Sequence, residues 1–302
     1  MIVNFKVTAP SFLRTLTTLA ALALIASASP LLSQQQTPPA TKSGPPTIQD
    51  NSFLIEEAYN QEPAVVQHIS TFLRRVEYHD WVYLFTQEWP LTGIKHQFSY
   101  TVTGQHSGAS PGSGAGMGDF YINYRYQLLG NGETRFAIAP RFTVLLPTGD
   151  SHYGRGLGGT GLQTDVAGSI VLNRNFVTHL NAGATWVPHA RNEAGDRAGI
   201  AGYNLGHSII WLTNPRFNVM LETAYNDFGR VTAPGKTERV KDLLISPGVR
   251  WAYNFKSGLQ IVPGIAVPIG AGPTSGEKGI LLYLSFEHPM RFLYWQRKQA
   301  GD

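Results

Sequence analysis

The chain has 302 residues, of which 42% are hydrophobic and 15% charged, with 32 Gly and no Cys. Charged residues fall below the roughly 25% of soluble domains and Gly exceeds its usual share of about 7%. The apolar content does not make up the difference, so neither an ordinary soluble enzyme nor a bundle of membrane helices fits. Without Cys there is no disulfide framework, zinc finger, thiol nucleophile or lipid-modified cysteine. The net charge of +4 comes from basic residues scattered singly, which gives no footprint for nucleic acid.

Residues 1–28 have a basic start (Lys6, Arg14), an apolar run from Leu16 to Ala26 and a small-x-small site at Ala26-Ser27-Ala28. This is the form of a secretory signal peptide removed after Sec export. The other reading, a membrane anchor, needs about 20 apolar residues. With Lys6 and Arg14 removed, 22 of the 24 basic side chains remain against 20 acidic ones, a net +2. Residues 29–50, rich in Pro, Gln, Thr and Ser, read as a disordered periplasmic linker. Within 51–63, the stretch Ser52–Tyr59 looks helical, with Asp50, Asn51 and Ser52 as caps and Pro63 as a stop. Phe53, Ile55, Glu56, Glu57 and Tyr59 are then candidates for a short plug helix entering a barrel from the periplasmic side, or for a lead-in turn.

Beyond Pro63 apolar residues recur with a period of two, in segments of about ten residues bounded by Gly, Asn, Pro or Asp. In 119–128, Phe120, Ile122, Tyr124, Tyr126 and Leu128 alternate with Asp119, Tyr121, Asn123, Arg125 and Gln127. The spacing predicts twelve strands, with ten to fourteen as the range: 65–75, 81–90, 95–103, 117–129, 133–147, 160–173, 176–188, 201–213, 216–226, 240–254, 258–269 and 277–288. Two properties separate these from the strands of a soluble sandwich. The polar faces carry Asn, Gln, Ser, Thr and single charges rather than Lys and Glu, and aromatics such as Trp81, Trp89, Tyr203, Trp211, Trp251 and Tyr253 stand at strand ends. An all-β, transmembrane antiparallel β-barrel with aromatic girdles and a polar lumen accounts for both. Connections of alternating length fit it as well, long after strands three, five, seven and nine (104–116, 148–159, 189–200, 227–239) and short after four, six, eight and ten. The barrel is expected over 64–288, followed by a tail over 289–302. Pro140, Pro247 and Pro263 imply bulges or locally opened pairing.

Several stretches resemble a known family, the outer-membrane barrels of the meta-pathway of phenol degradation, or MetA-like transporters. They are IEEAYNQEPAVVQHISTF from Ile55, FTQEWP from Phe85, HQFSYT from His96, GDFYINYRYQL from Gly118, APRFTVLLPTGD from Ala139 and NAGATWVPHA from Asn181. The resemblance implies a Gram-negative outer-membrane location and passage of small solutes, aromatic or hydrophobic compounds among them. It transfers no catalytic residues. Glu277, Gly279, Leu282 and Leu284 resemble the signal read by the barrel-assembly machinery, which with outer-membrane lipid and a small-molecule solute completes the expected partners.

Strand parity places Asp119, Asn123, Arg125, Arg135, Arg141, Asp165, Glu222, Arg250 and Glu287 in the lumen, where they either set selectivity or pair across the barrel. The string GRGLGG from Gly154 matches a dinucleotide fingerprint but precedes a strand rather than a helix, so it reads as a flexible external loop. His68 and Ser70 share one strand face and offer the enzymatic alternative, a hydrolase of phospholipase type. A closed structural barrel is the remaining alternative. His106, His152 and His189 lack metal-ligand spacing, and no cofactor is expected.

Overall fold

The computed structural model describes residue 48 and residues 50–108, 114–257 and 259–290. The expected leader, nearly all of the linker and the tail beyond residue 290 lie outside the described residues.

Alternating faces become twelve antiparallel strand passes: β1 (Val65–Arg75), β2 (Asp80–Thr92), β3 (His96–His106), β4 (Gly116–Tyr126), β5 (Phe136–Leu146), β6 (Gly161–Val171), β7 (Phe176–Arg191), β8 (Arg197–Asn214), β9 (Phe217–Ala233), β10 (Lys236–Trp251, resumed as Tyr253–Asn254), β11 (Gln260–Ala266, resumed as Ile269–Gly270) and β12 (Gly279–Pro289). Each strand pairs with its neighbours in chain order, and β1 also pairs with β12 from Val65↔Pro289 to Arg75↔Gly279. The sheet therefore has no edge. Closure is what hydrocarbon demands, because no water is present there to satisfy an unpaired strand.

Parity assigns the faces. On β3, Gln97, Ser99, Thr101 and Thr103 are buried inside, while Phe98 and Tyr100 point outward. Large apolar side chains stay uncovered around the outer wall, with Ile122 36%, Leu205 51% and Leu284 41% exposed. In water so continuous a belt would aggregate; in a bilayer it is the lipid-facing surface. Ring pairs edge the belt. Trp89–Phe98 (5.8 Å) and Phe176–Trp211 (6.4 Å) lie toward the end where β1 starts and β12 finishes, the proximal end, and Phe72–Trp81 (5.7 Å) and Tyr203–Tyr225 (6.0 Å) lie toward the distal end.

Two of the four expected long loops differ. The chain between β7 and β8 is residues 192–196, and only Pro234-Gly235 separates β9 from β10, because these four strands extend as paired hairpins. Of the prolines, Pro140 sits where the β4–β5 register passes from Arg125↔Arg141 to the Leu129↔Ile138 bridge, four residues against three. That is a bulge. Pro247 and Pro268 fall in the break between the Ile245↔Ile269 and Gly248↔Ala266 pairs of β10 and β11, yet the Val267 N–H still donates to Pro247 O at 3.0 Å. Pro263 keeps its register place opposite Leu284.

Candidate functional site

Residues 50–64 contain no helix, which corrects the sequence expectation over 51–63. The segment enters the proximal half of the lumen as a bent strap and follows the inner wall. Its backbone groups are satisfied by wall side chains rather than by one another, and that is why no helical ladder forms. Three consecutive N–H groups, those of Phe53, Leu54 and Ile55, donate to Glu222 Oε1 on β9 at 2.9, 2.7 and 3.2 Å. The Glu56 N–H donates to Asn181 Oδ1 (2.7 Å), that of Ala58 to Ser169 Oγ (2.8 Å), that of Asn60 to Gln127 Oε1 (2.9 Å) and that of Gln61 to Gln97 Oε1 (2.7 Å). In return Arg250 donates to Asn51 O, Gln127 to Ala58 O at 2.7 Å, and Arg125 to Tyr59 O at 2.5 Å.

Apolar contacts seat the strap further. Phe53 lies over Gly264 and Gly248 and against Tyr283, whose ring centroid is 4.9 Å away. A Cβ on Gly264 would stand 2.5 Å from Phe53 Cζ, so the absence of a side chain there makes the seat. Leu54 and Ile55 join Leu73, Val82, Ile210 and Met220 in an apolar cluster inside the barrel.

The distal half is narrowed by the loop between β5 and β6. It turns inward, and the Gly149 and Leu157 N–H groups donate to Asp119 Oδ1 and Oδ2 at 3.1 and 2.7 Å. Leu157 packs with Leu145, Val187, Ile200 and Phe228, and Tyr121 joins that cluster. Gly156 adopts φ +96° around the Asp119 carboxylate, and a Cβ there would fall 2.2 Å from Asp119 Oδ1. The GRGLGG string is therefore a wrapped anchor inside the lumen rather than a free external loop. Beside the loop lies a cleft in the lumen, lined by Val82, Leu84, Tyr121, Leu145 and Leu157 and by the polar Thr103, Gln105, Asp119 and Gln163. At the distal mouth Arg75 reaches Asp80 at 2.5 Å and Glu277 at 3.3 Å, a buried cluster that parity alone did not single out.

Of the residues read as lumen-lining, Asp119, Asn123, Arg125, Asp165, Glu222 and Arg250 are buried, and Arg141 and Glu287 are half-buried. Arg135 is exposed and precedes β5, because the Asn131–Thr134 turn, closed by a 3.2 Å backbone bond, ends the parity of the strand there. The charges do not chiefly pair across the barrel. Asp119 and Glu222 bind backbone N–H groups of the intruding segments, Arg141 meets Glu56 of the strap at 3.0 Å, and Glu287 accepts from Gln67 at 2.8 Å. Of the strap residues, Phe53, Ile55 and Glu57 are buried and Glu56 and Tyr59 half-buried. Burial pushes the Glu57 carboxyl above its ordinary pKa. The further wall residues that hold the strap, Gln97, Gln127, Ser169 and Asn181, are neutral. Their only signal was the amide-rich and hydroxyl-rich lumen face.

His68 and Ser70 face outward and do not meet. His68 Nε2 lies 3.1 Å from His288 Nε2 and its ring stacks on Phe286 (4.5 Å), while Ser70 Oγ lies 3.1 Å from the Tyr83 hydroxyl. No nucleophile–base pair forms between them. Among the described residues no cluster of three or more His, Asp or Glu side chains could hold a metal.

A closed, lipid-belted barrel with a polar lumen, threaded from one end by its own N-terminal segment, defines a transmembrane β-barrel of the outer-membrane class. The chain belongs to the family described as "Putative MetA-pathway of phenol degradation", which matches residues 55–280. No curated protein matches it. Among solved structures, an outer membrane channel from Pseudomonas putida F1 superposes with a TM-score of 0.57 at 13% identity, covering 76% of this chain and 96% of that one. The NanC porin (TM-score 0.47, 8% identity, 72% of this chain and 98% of that one) and the CymD monoaromatic hydrocarbon channel (0.38, 9%, 76% and 89%) superpose less closely.

Proposed function

We propose that the chain is an outer-membrane channel or transporter for small solutes, with aromatic and other apolar compounds as its preferred class. The carrying observation is the strap. It fills the proximal lumen yet is attached to the wall through side chains, so it can leave without breaking a rung of the barrel. Membership of a family described by phenol degradation supports the aromatic preference. His68 and Ser70, engaged with His288 and Tyr83 rather than with each other, speak against the hydrolase reading.

The test is conductance in planar bilayers together with liposome swelling over a panel of aromatic acids, sugars and ions. Stepwise conductance and uptake of single-ring solutes are expected. The filled lumen favours one rival, a barrel that stays closed. Silence both of the parent protein and of a variant whose strap has been shown to detach would establish that rival and overturn the channel.

A further inference from the structure

Arg125 on β4 and Arg141 on β5 are direct cross-strand partners, and both turn into the lumen. Like charges directly opposite on one sheet face repel, so this position calls for an anion between them. The anion present belongs to the strap. Glu56 stands 3.0 Å from Arg141 Nη2 and 3.9 Å from Arg125 Nη1. Arg125 also reaches Glu88 of the wall at 3.9 Å, whereas Glu56 is the carboxylate within ion-pair distance of Arg141 among the described residues. Asp165, the register neighbour of Arg141 on β6, accepts from Asn204 instead, at 2.9 Å.

Arg141 is poorly satisfied otherwise. Its Nε is buried without a hydrogen-bond partner among the described residues, and its Nη atoms reach Asn123 and Gln163 only at 3.5 and 3.4 Å. The donors of Arg125 are spent on the strap, at Asn60 Oδ1 (3.0 Å), Glu57 O (3.3 Å) and Tyr59 O (2.5 Å). Departure of the strap would take from Arg141 its carboxylate and release the donors of Arg125, which among the described residues would keep only Glu88 of the wall at 3.9 Å. Beside them on the same lumen face Ala137, Ala139 and Ala167 form a shallow apolar floor, against which Ala58 and the Tyr59 ring pack.

We infer that Arg125, Arg141 and this alanine floor form a binding site for small aryl carboxylates in the solute path, held at rest by Glu56 and Tyr59 as a tethered stand-in for carboxylate and ring. The inference rests on the reading of the lumen as a solute path, and it narrows the solute to an organic anion with one apolar ring.

The experiment is calorimetric titration of the full chain in detergent with benzoate and with neutral benzyl alcohol, using heat-modifiable gel mobility to confirm folding. Glu56→Gln removes the competing charge and should tighten benzoate binding at least tenfold, and benzyl alcohol binding by far less. Adding Arg141→Gln should abolish the gain. Glu56→Ala serves as the second variant should Glu56→Gln fold poorly. Benzoate affinity equal in parent and variants, or a gain that survives Arg141→Gln, overturns the inference. Conductance is read separately, so a conducting barrel without the benzoate gain refutes this site and spares the channel.

Discussion

Glu222→Ala is the sharpest perturbation of the strap. The Glu222 side chain is fully buried, and one of its oxygens accepts the N–H groups of Phe53, Leu54 and Ile55 at 2.9, 2.7 and 3.2 Å. A buried donor left without an acceptor costs about 1–3 kcal/mol. Water entering the vacated lumen would lessen each loss, so about 1 kcal/mol per donor, or about 3 kcal/mol in all, is the working figure. At 1.4 kcal/mol per decade, this moves the docked-to-released equilibrium about a hundredfold toward release. Glu222→Gln keeps an acceptor oxygen but loses charge assistance, which contributes about half the strength of such bonds, so its shift should be about tenfold. Amide hydrogen exchange in detergent reads the equilibrium directly. Peptides over 50–61 should lose protection by these factors, in the order Ala, Gln, parent, while peptides from the β2–β3 hairpin keep theirs. Unchanged protection over 50–61 in Glu222→Ala would refute the claim that this carboxylate holds the strap.

Asp119→Ala removes both acceptors for the inward loop between β5 and β6, and bilayer recordings should show larger or more frequent openings than in the parent protein. Gly264→Val puts a Cβ into the place of the Phe53 ring, 2.5 Å from its Cζ; the clash, about 1–3 kcal/mol by analogy with overpacked cores, should raise exchange over 50–61 without lowering the yield of folded barrel. Ile122→Arg, near the middle of β4 on the lipid face, should cost about 2–4 kcal/mol. It should reduce the heat-modifiable fraction on folding into vesicles, and an undiminished fraction would count against the membrane assignment of that face.

The strands were legible because two solvents act on them. Lipid on one side and a polar lumen on the other impose a strict period of two, and 65–75 coincides with β1 residue for residue. The signal fails where that contrast ends. The hairpin extensions of β7–β8 and β9–β10 carry HARNEAGDRAGI and DFGRVTAPGKTERV, and these polar, Gly- and Pro-containing runs read as loops because each strand there has lost its apolar lipid-facing alternation. The strap was misread for a different reason. Its conformation is fixed by partners 36 to 199 positions away, as with Gln97 to Gln61 and Arg250 to Asn51, so no local pattern could encode it. The consecutive Phe53-Leu54-Ile55 was a clue, since an apolar triplet suits a segment enclosed on several sides better than a one-sided helix.

The lumen charges bear on mechanism through what they bind. A narrow barrel can use internal charges to brace its wall, and the near balance of Arg against acids made cross-barrel pairing the natural expectation. Instead, Glu222, Asp119, Arg125 and Arg250 bond to backbone atoms of segments that enter the lumen. The reason lies with those segments. A chain that leaves water without forming a helix or joining a sheet carries unpaired N–H and C=O groups, and an ionised side chain makes stronger hydrogen bonds to them than a neutral one. The wall itself is already complete, because its ladder closes between β1 and β12 without these side chains. Neutralising a lumen charge should therefore change how often the lumen opens far more than how firmly the barrel holds, and that separation is what a gated passage requires of its walls.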